Sequence, residues 1–221
     1  MAGDLHPADQ AQAIASFIAT DSSDDTDPQS IFWSGASRII FEGDFYGRPI
    51  PNHRTEILVQ YSQLNLYALF VCPYEHLHLK PDPVLFRETY ELWNWDVAEL
   101  FIGDDFENIR RYKEFEVSPQ GEWVDLDIDL DKPTPENGWI WQSAMEASAR
   151  IDTAHRTWYG FMRIPWISIT SQAPVPGTKF RANFYRCQGA DPDRKYITWQ
   201  PVNRLSFHTP ECFGTLTLAA P

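Results

Sequence analysis

A chain of 221 residues carrying 31 acidic against 18 basic side chains, a formal charge of −13, repels phosphate backbones and anionic membranes, so neither nucleic acid nor a membrane is expected as a partner. That length suits a single domain with a sizeable core. Its three cysteines, Cys72, Cys187 and Cys212, match no zinc-ligand spacing and read as free buried thiols.

From the N-terminus, residues 1–25 lack the basic and apolar regions of a secretory signal; this places the chain as written in the cytoplasm, or in the periplasm or outside the cell if the natural start differs. Residues 7–19, with Ala11, Ile14, Ala15 and Ile18, predict a short helix and 21–29 a polar loop, so that residues 1–30 form a partly irregular extension ahead of a domain over 31–221. Beyond it the apolar residues alternate, and the expected class is all-β, an antiparallel sandwich of two packed sheets. Strands are expected at 55–61 and 66–73, a hairpin joined by Ser62-Gln63-Leu64-Asn65, and at 97–102. Segments 113–117 and 122–130 flank Ser118-Pro119-Gln120-Gly121, where proline and glycine stand as a turn requires. Segments 158–164, 179–187, 196–199 and 214–218 complete the set. In WVDLDIDLD, residues 123–131, Val124, Leu126, Ile128 and Leu130 are expected to face the core, with Asp125, Asp127 and Asp129 on a solvated face rather than forming a calcium ladder.

The stretch that carries chemistry is ELWNWDVAELF, residues 91–101. A sugar ring offers C–H groups on its faces and hydroxyls at its rim, so a site for it needs flat aromatic surface together with carboxylates, amides or guanidinium groups. Trp93, Trp95, Val97 and Glu99 share parity, which sets Glu99 beneath a ring held by an indole. The competing reading packs an indole in the sandwich, Trp95 more readily than Trp93, and pairs Glu99 with Arg110, Arg111 or Lys113. Glu114 and Glu116 share one strand face; if Glu99 lies on the neighbouring strand, Glu99 and Glu116 form a cross-strand pair whose like charges raise a pKa or take up calcium. Calcium is thus the cofactor these carboxylates leave open, with its ligands undetermined. Phe207, in NRLSFHTPEC, falls on a loop, either as an exposed contact or as a plug, with Arg204 and His208 beside it as hydroxyl donors.

Taken in order, Trp33, TEILVQYSQLNLYALFVC, LWNWDVAELF, YKEFEVSPQGEW, WYGFMRIPW, PGTKFRANFYR, ITWQP and PECFGTLTL resemble the family 9 carbohydrate-binding modules and their single-domain relatives over residues 31–219. The resemblance implies a jelly-roll-like β-sandwich, without catalysis, that holds an oligo- or polysaccharide between two aromatic rings. It sets Trp93 as the first ring, Phe207 as the second, Glu99 as the sugar-contacting glutamate and Asp96 as its acidic neighbour. Where the sugar-binding modules carry an arginine in the next strand, this chain has Glu116. Two other readings stay open. One is a haem-carrying electron-transfer domain of DOMON type, using Met162 or Met145 with His76, His78, His155 or His208; the other is a glycoside-active enzyme using paired carboxylates.

Overall fold

The structure, a computed structural model, describes residues 11–22 and 24–221. Twelve strands run in chain order as β1 (Gln12–Phe17), β2 (Ser37–Phe41), β3 (Thr55–Tyr61), β4 (Asn65–Pro73), β5 (Val97–Gly103), β6 (Arg111–Val117), β7 (Trp123–Asp129), β8 (Glu146–Asp152), β9 (Thr157–Pro165), β10 (Lys179–Gln188), β11 (Lys195–Thr198) and β12 (Gly214–Leu218). One sheet has the order β7-β6-β5-β10-β12 with β11 also on β10; the other has β8-β9-β4-β3 with β2 also on β3. Strand β1 belongs to both. Its first four residues pair in parallel with β12 and its last two with β3, so one short strand ties the sheets along an edge.

Alternation fills the space between the sheets with Leu100, Phe115, Phe180 and Phe184 from one and Ile57, Phe70, Trp158 and Met162 from the other. Trp166 stacks on Phe180 at 5.2 Å between ring centres. Outer faces are apolar too. Trp33, Leu58, Tyr67 and Phe161 form a cluster on the second sheet, and Val97, Phe101, Tyr112, Tyr185 and Phe213 form one on the first. The first sheet therefore carries a roof of loops over its outer face.

Every strand expected from alternation is present, with ends shifted by at most two residues. The hairpin turn closes with Ser62 N–H donating to Asn65 O at 2.8 Å, and Gly121 takes a left-handed φ of 87° in the second turn. All three cysteines are free and buried. The expected helix is a correction. Residues 12–17 of the span form β1, and 7–10 lie outside the described residues. Ala13 and Ala15 point into the core while Ile14 faces solvent, an alternation hidden by the coincident helical spacing of small apolar residues. Strands β2 and β8 were not expected; β8 reads EASARID, in which Ala147, Ala149 and Ile151 alternate with polar residues and pack against the core, while Arg150 is exposed.

The orientation of β7 is a second correction. Val124, Leu126 and Ile128 pair with Glu116, Glu114 and Tyr112, and join the cluster on the outer face rather than the core between the sheets. Asp127 and Asp129 bind Lys113 and Arg111 across the ladder. Asp125, expected in solvent, is buried; it accepts a hydrogen bond from Ser143 Oγ, and burial raises its carboxyl to about 6. Period alone says which residues share a face, not which face meets the partner sheet. Met162 packs in the inter-sheet core opposite Ala68 and Ala147, as packing predicts and haem ligation does not.

The two sheets come close at Gly160, where an added Cβ lies 2.7 Å from the Trp158 ring and 2.8 Å from Val117 on the facing sheet. Gly160→Ala is expected to destabilise the fold by about 1–3 kcal/mol through overpacking. Urea denaturation read by tryptophan fluorescence measures this, and an unchanged midpoint contradicts the close approach.

Candidate functional site

On the outer face of the first sheet, strands β5, β6 and β10 bring Glu99, Glu114, Phe101 and Cys187 to the floor of a cavity of about 530 Å³. Loops build its walls. Tyr90, Trp93 and Asn94 come from the segment before β5, and Trp139 from the segment after β7. Asp191 and Arg194 come from the connection between β10 and β11, Tyr196 from β11, and Leu205 to His208 from the segment before β12.

Trp93 sits in a single 3-10 turn, Leu92–Asn94, entered through Glu91 in a left-handed conformation and anchored by the buried Leu92. Its half-exposed indole meets Tyr90 edge to face at 5.2 Å. The Arg194 guanidinium fixes this turn by donating to the carbonyls of Trp93 at 2.6 Å, Trp95 at 2.8 Å and Gly189 at 2.7 Å. Trp95 was expected in the core; it is half-buried and stacks on His78 at 4.5 Å. The chain turns between Trp93 and Val97, so strand parity does not extend back to the indoles.

Asp96 has no part in lining the cavity. It is fully buried and accepts from the backbone N–H of His78 at 3.1 Å, the N–H of Gly189 at 2.5 Å and Gln188 Nε2 at 2.7 Å. That ties the start of β5 to the end of β10, which is a structural task. Phe207 lines the cavity but is only 8% exposed, stacked on Tyr185 at 4.1 Å and tilted against Phe45 at 5.3 Å. The expected exposed second ring is thus a packed loop anchor. Arg204 pairs with Glu211 in solvent, away from the cavity, whereas His208 lines it and meets the Tyr112 hydroxyl at 2.6 Å.

The cross-strand register sets Glu99 directly opposite Glu116, with Glu114 on the same face. Single carboxylate oxygens of the three lie within 4.8 Å of one another. Lys113, Arg110 and Arg111 are engaged with Asp127, Asp131 and Asp129, so none of them pairs with Glu99. Instead Cys187 donates its thiol to Glu99 Oε1 at 3.3 Å. Burial, and then the charge of Glu114, push the Glu99 carboxyl up to about 8. Burial also raises Glu114, and burial with the charges of Glu99 and Glu114 raises Glu116 well above the ordinary range.

Sequence reasoning missed Trp139, Tyr90, Tyr196 and Arg194. Trp139 follows Asn137-Gly138, a turn signal that could have marked it as a loop indole. Gly138 is needed there, because its φ is 64° and a Cβ would lie 2.3 Å from the Tyr90 ring. Trp139 itself holds a left-handed φ of 67°, a conformation that costs a bulky residue energy and is concentrated at functional sites. Tyr196 stacks on Phe45 at 5.0 Å.

Two expectations follow. Phe207→Ala is expected to cost about 3–5 kcal/mol of stability as a buried ring, and Trp93→Ala, at the rim, distinctly less; denaturant titration of both variants checks the order. In buffer free of divalent ions, the folded protein holds a proton on Glu99 that the unfolded chain, with its ordinary value of 4.5, releases. Stability from this group is complete below pH 4.5 and lost as pH rises through about 8. Thermal unfolding across that window is expected to show the decline, and Glu99→Gln to flatten it.

Residues 141–218 match the sequence model of carbohydrate-binding family 9, a stretch that includes Cys187, Arg194, Tyr196 and Phe207 but not the three glutamates. No curated protein matches the sequence. Among solved structures, a family 9 module from Caldicellulosiruptor kristjanssonii in complex with cellotriose is 14% identical, with 96% of this chain and 95% of that chain covered at a TM-score of 0.66. A complex of such a module from the same organism with glucose gives 14% identity, 96% and 97% coverage and the same score. A Bacteroides uniformis protein provisionally described as carbohydrate-binding is 15% identical, with 95% and 99% covered at a TM-score of 0.75. In sequence over its C-terminal third and in fold over nearly all its length, the chain is similar to the family 9 carbohydrate-binding modules.

Proposed function

We propose that the protein is a non-catalytic saccharide-binding module whose ligand enters the cavity between the aromatic loops. The observation that carries this reading is the combination of half-exposed rings, Trp93, Trp139 and Tyr196, with hydrogen-bonding groups on the floor and rim of one cavity, Glu99, Glu114, Asn94, Arg194 and His208. Rings take the C–H faces of a sugar, and carboxylates and guanidinium take its hydroxyls. The relatives solved with cellotriose and glucose support starting with gluco-configured ligands.

The arrangement of carboxylates supports binding over hydrolysis. A glycosidase sets two carboxyl groups on opposite sides of the scissile bond, about 5–5.5 Å or 6.5–9.5 Å apart. Here Glu99 and Glu114 stand diagonally on adjacent strands of one floor, and Glu116 does not reach the cavity surface. All three point from the same sheet face, and the further acid of the cavity, Asp191, sits on the loop wall between β10 and β11.

Calorimetric titration with cello-oligosaccharides is expected to give binding that Trp93→Ala and Trp139→Ala each weaken by about 1–3 kcal/mol. The same protein is expected to leave aryl glycosides and soluble glucans intact between acid and neutral pH. Turnover abolished by Glu99→Gln overturns the non-catalytic reading, and binding unaffected by both tryptophan variants overturns the location.

A further inference from the structure

We propose that Glu99, Glu114 and Glu116 form a site for one hard divalent cation, calcium by ligand type and span, set into the floor of the cavity. This goes beyond the saccharide reading and does not depend on it. Three observations carry it.

The first is geometry. Oxygens of the three carboxylates lie within 4.8 Å of one another, a span that one ion bonded at roughly 2.3–2.6 Å to each oxygen closes. The register of β5 with β6 holds them there without any loop to adjust.

The second is the state of Glu116. It is fully buried, and when the three carboxylates are ionised no donor among the described residues reaches either of its oxygens, nor Glu114 Oε2; only a proton shared between Glu114 and Glu116 would satisfy them without an ion. Burying a carboxylate oxygen without a donor is unfavourable, so such groups in native proteins point to an ion or another unseen partner.

The third is charge. No salt bridge forms to any of the three among the described residues. Arg194, the basic group of the cavity wall, binds three backbone carbonyls instead. His208, which faces Glu114, is held at Nδ1 by Tyr112. An all-oxygen donor set selects calcium, magnesium or manganese over softer metals. Glu116 lies beneath the cavity surface, where a bare ion fits and a ligand's ammonium group does not reach. Because Glu99 and Glu114 border the open cavity, coordination positions on that side remain for water or for hydroxyls of a bound molecule.

The test is calorimetric titration of Ca²⁺, and separately Mg²⁺, into chelator-treated protein, with Glu116→Gln and Glu99→Gln alongside. One Ca²⁺ per chain is expected, with affinity at least tenfold weaker in each variant and a calcium-dependent rise in melting temperature that the variants lose. Both variants remove buried charge and are expected to fold, which circular dichroism verifies. Should either fail to fold, Tb³⁺ luminescence excited through tryptophan decides in the parent protein: Trp93 and Trp139 line the same cavity, so a bound ion there is sensitised and Ca²⁺ displaces it. Absence of both heat and luminescence overturns the proposal. So does binding that the variants leave unchanged, which assigns the ions to exposed aspartates. Saccharide titration in chelator is run separately: calcium binding without any saccharide binding upholds the ion site and overturns the saccharide reading, and the reverse outcome does the opposite.

Discussion

Three buried carboxylates held side by side on an apolar sheet face, without a salt bridge to any basic side chain among the described residues, are the constraint around which the rest of the molecule is arranged. A β-ladder fixes its side chains at intervals it cannot relax, and the pairing of Glu99 with Glu116 sets like charges directly opposite each other in the middle of a sheet. Such an arrangement is unfavourable for folding on its own. Its persistence needs a stiff scaffold, and the sandwich supplies one: the opposite face of the same strands is packed by Leu100, Phe115 and Val117 against the second sheet.

The loops above this floor are fixed by polar ties together with a few buried anchors. Asp96 joins the start of β5 to the end of β10 through two backbone N–H groups and Gln188. Arg194 closes over the Trp93 turn through three carbonyls. Phe207 pins the last loop by stacking on Tyr185. These contacts let Trp93 stay partly open to solvent while held in place, so this wall of the cavity is preformed and little ordering of it is left to be done on binding.

Much of this architecture was legible in the sequence because strand alternation and turn chemistry are local. The Glu99–Glu116 pair was also legible, since two strands joined by a short connection are neighbours and parity fixes their faces. What was not legible depended on which face meets which. The aspartates of β7 read as a solvated face, yet the hydrophobic set of that strand covers the outer side of the sheet, under the loop roof. Phe207 read as an exposed ring because its segment is polar, and only tertiary contact with Tyr185, Phe45 and Tyr196 buries it. Arg194 and Trp139 lie in irregular segments far from ELWNWDVAELF in sequence, and no period connects them to it. Short β1 escaped because small residues at coincident helical spacing imitate a helix.

The central claim is that the cavity over the three glutamates is where ligand binds. Hydrogen–deuterium exchange with and without cellotriose tests it most directly, because it reports the location of binding independently of any substitution. The account predicts slowed exchange in the segments bearing Trp93, Trp139, Arg194 and His208, with the outer face of the second sheet around Trp33 unchanged. Protection confined to that second face, or ligand binding with no protection around Trp93 and Trp139, contradicts it.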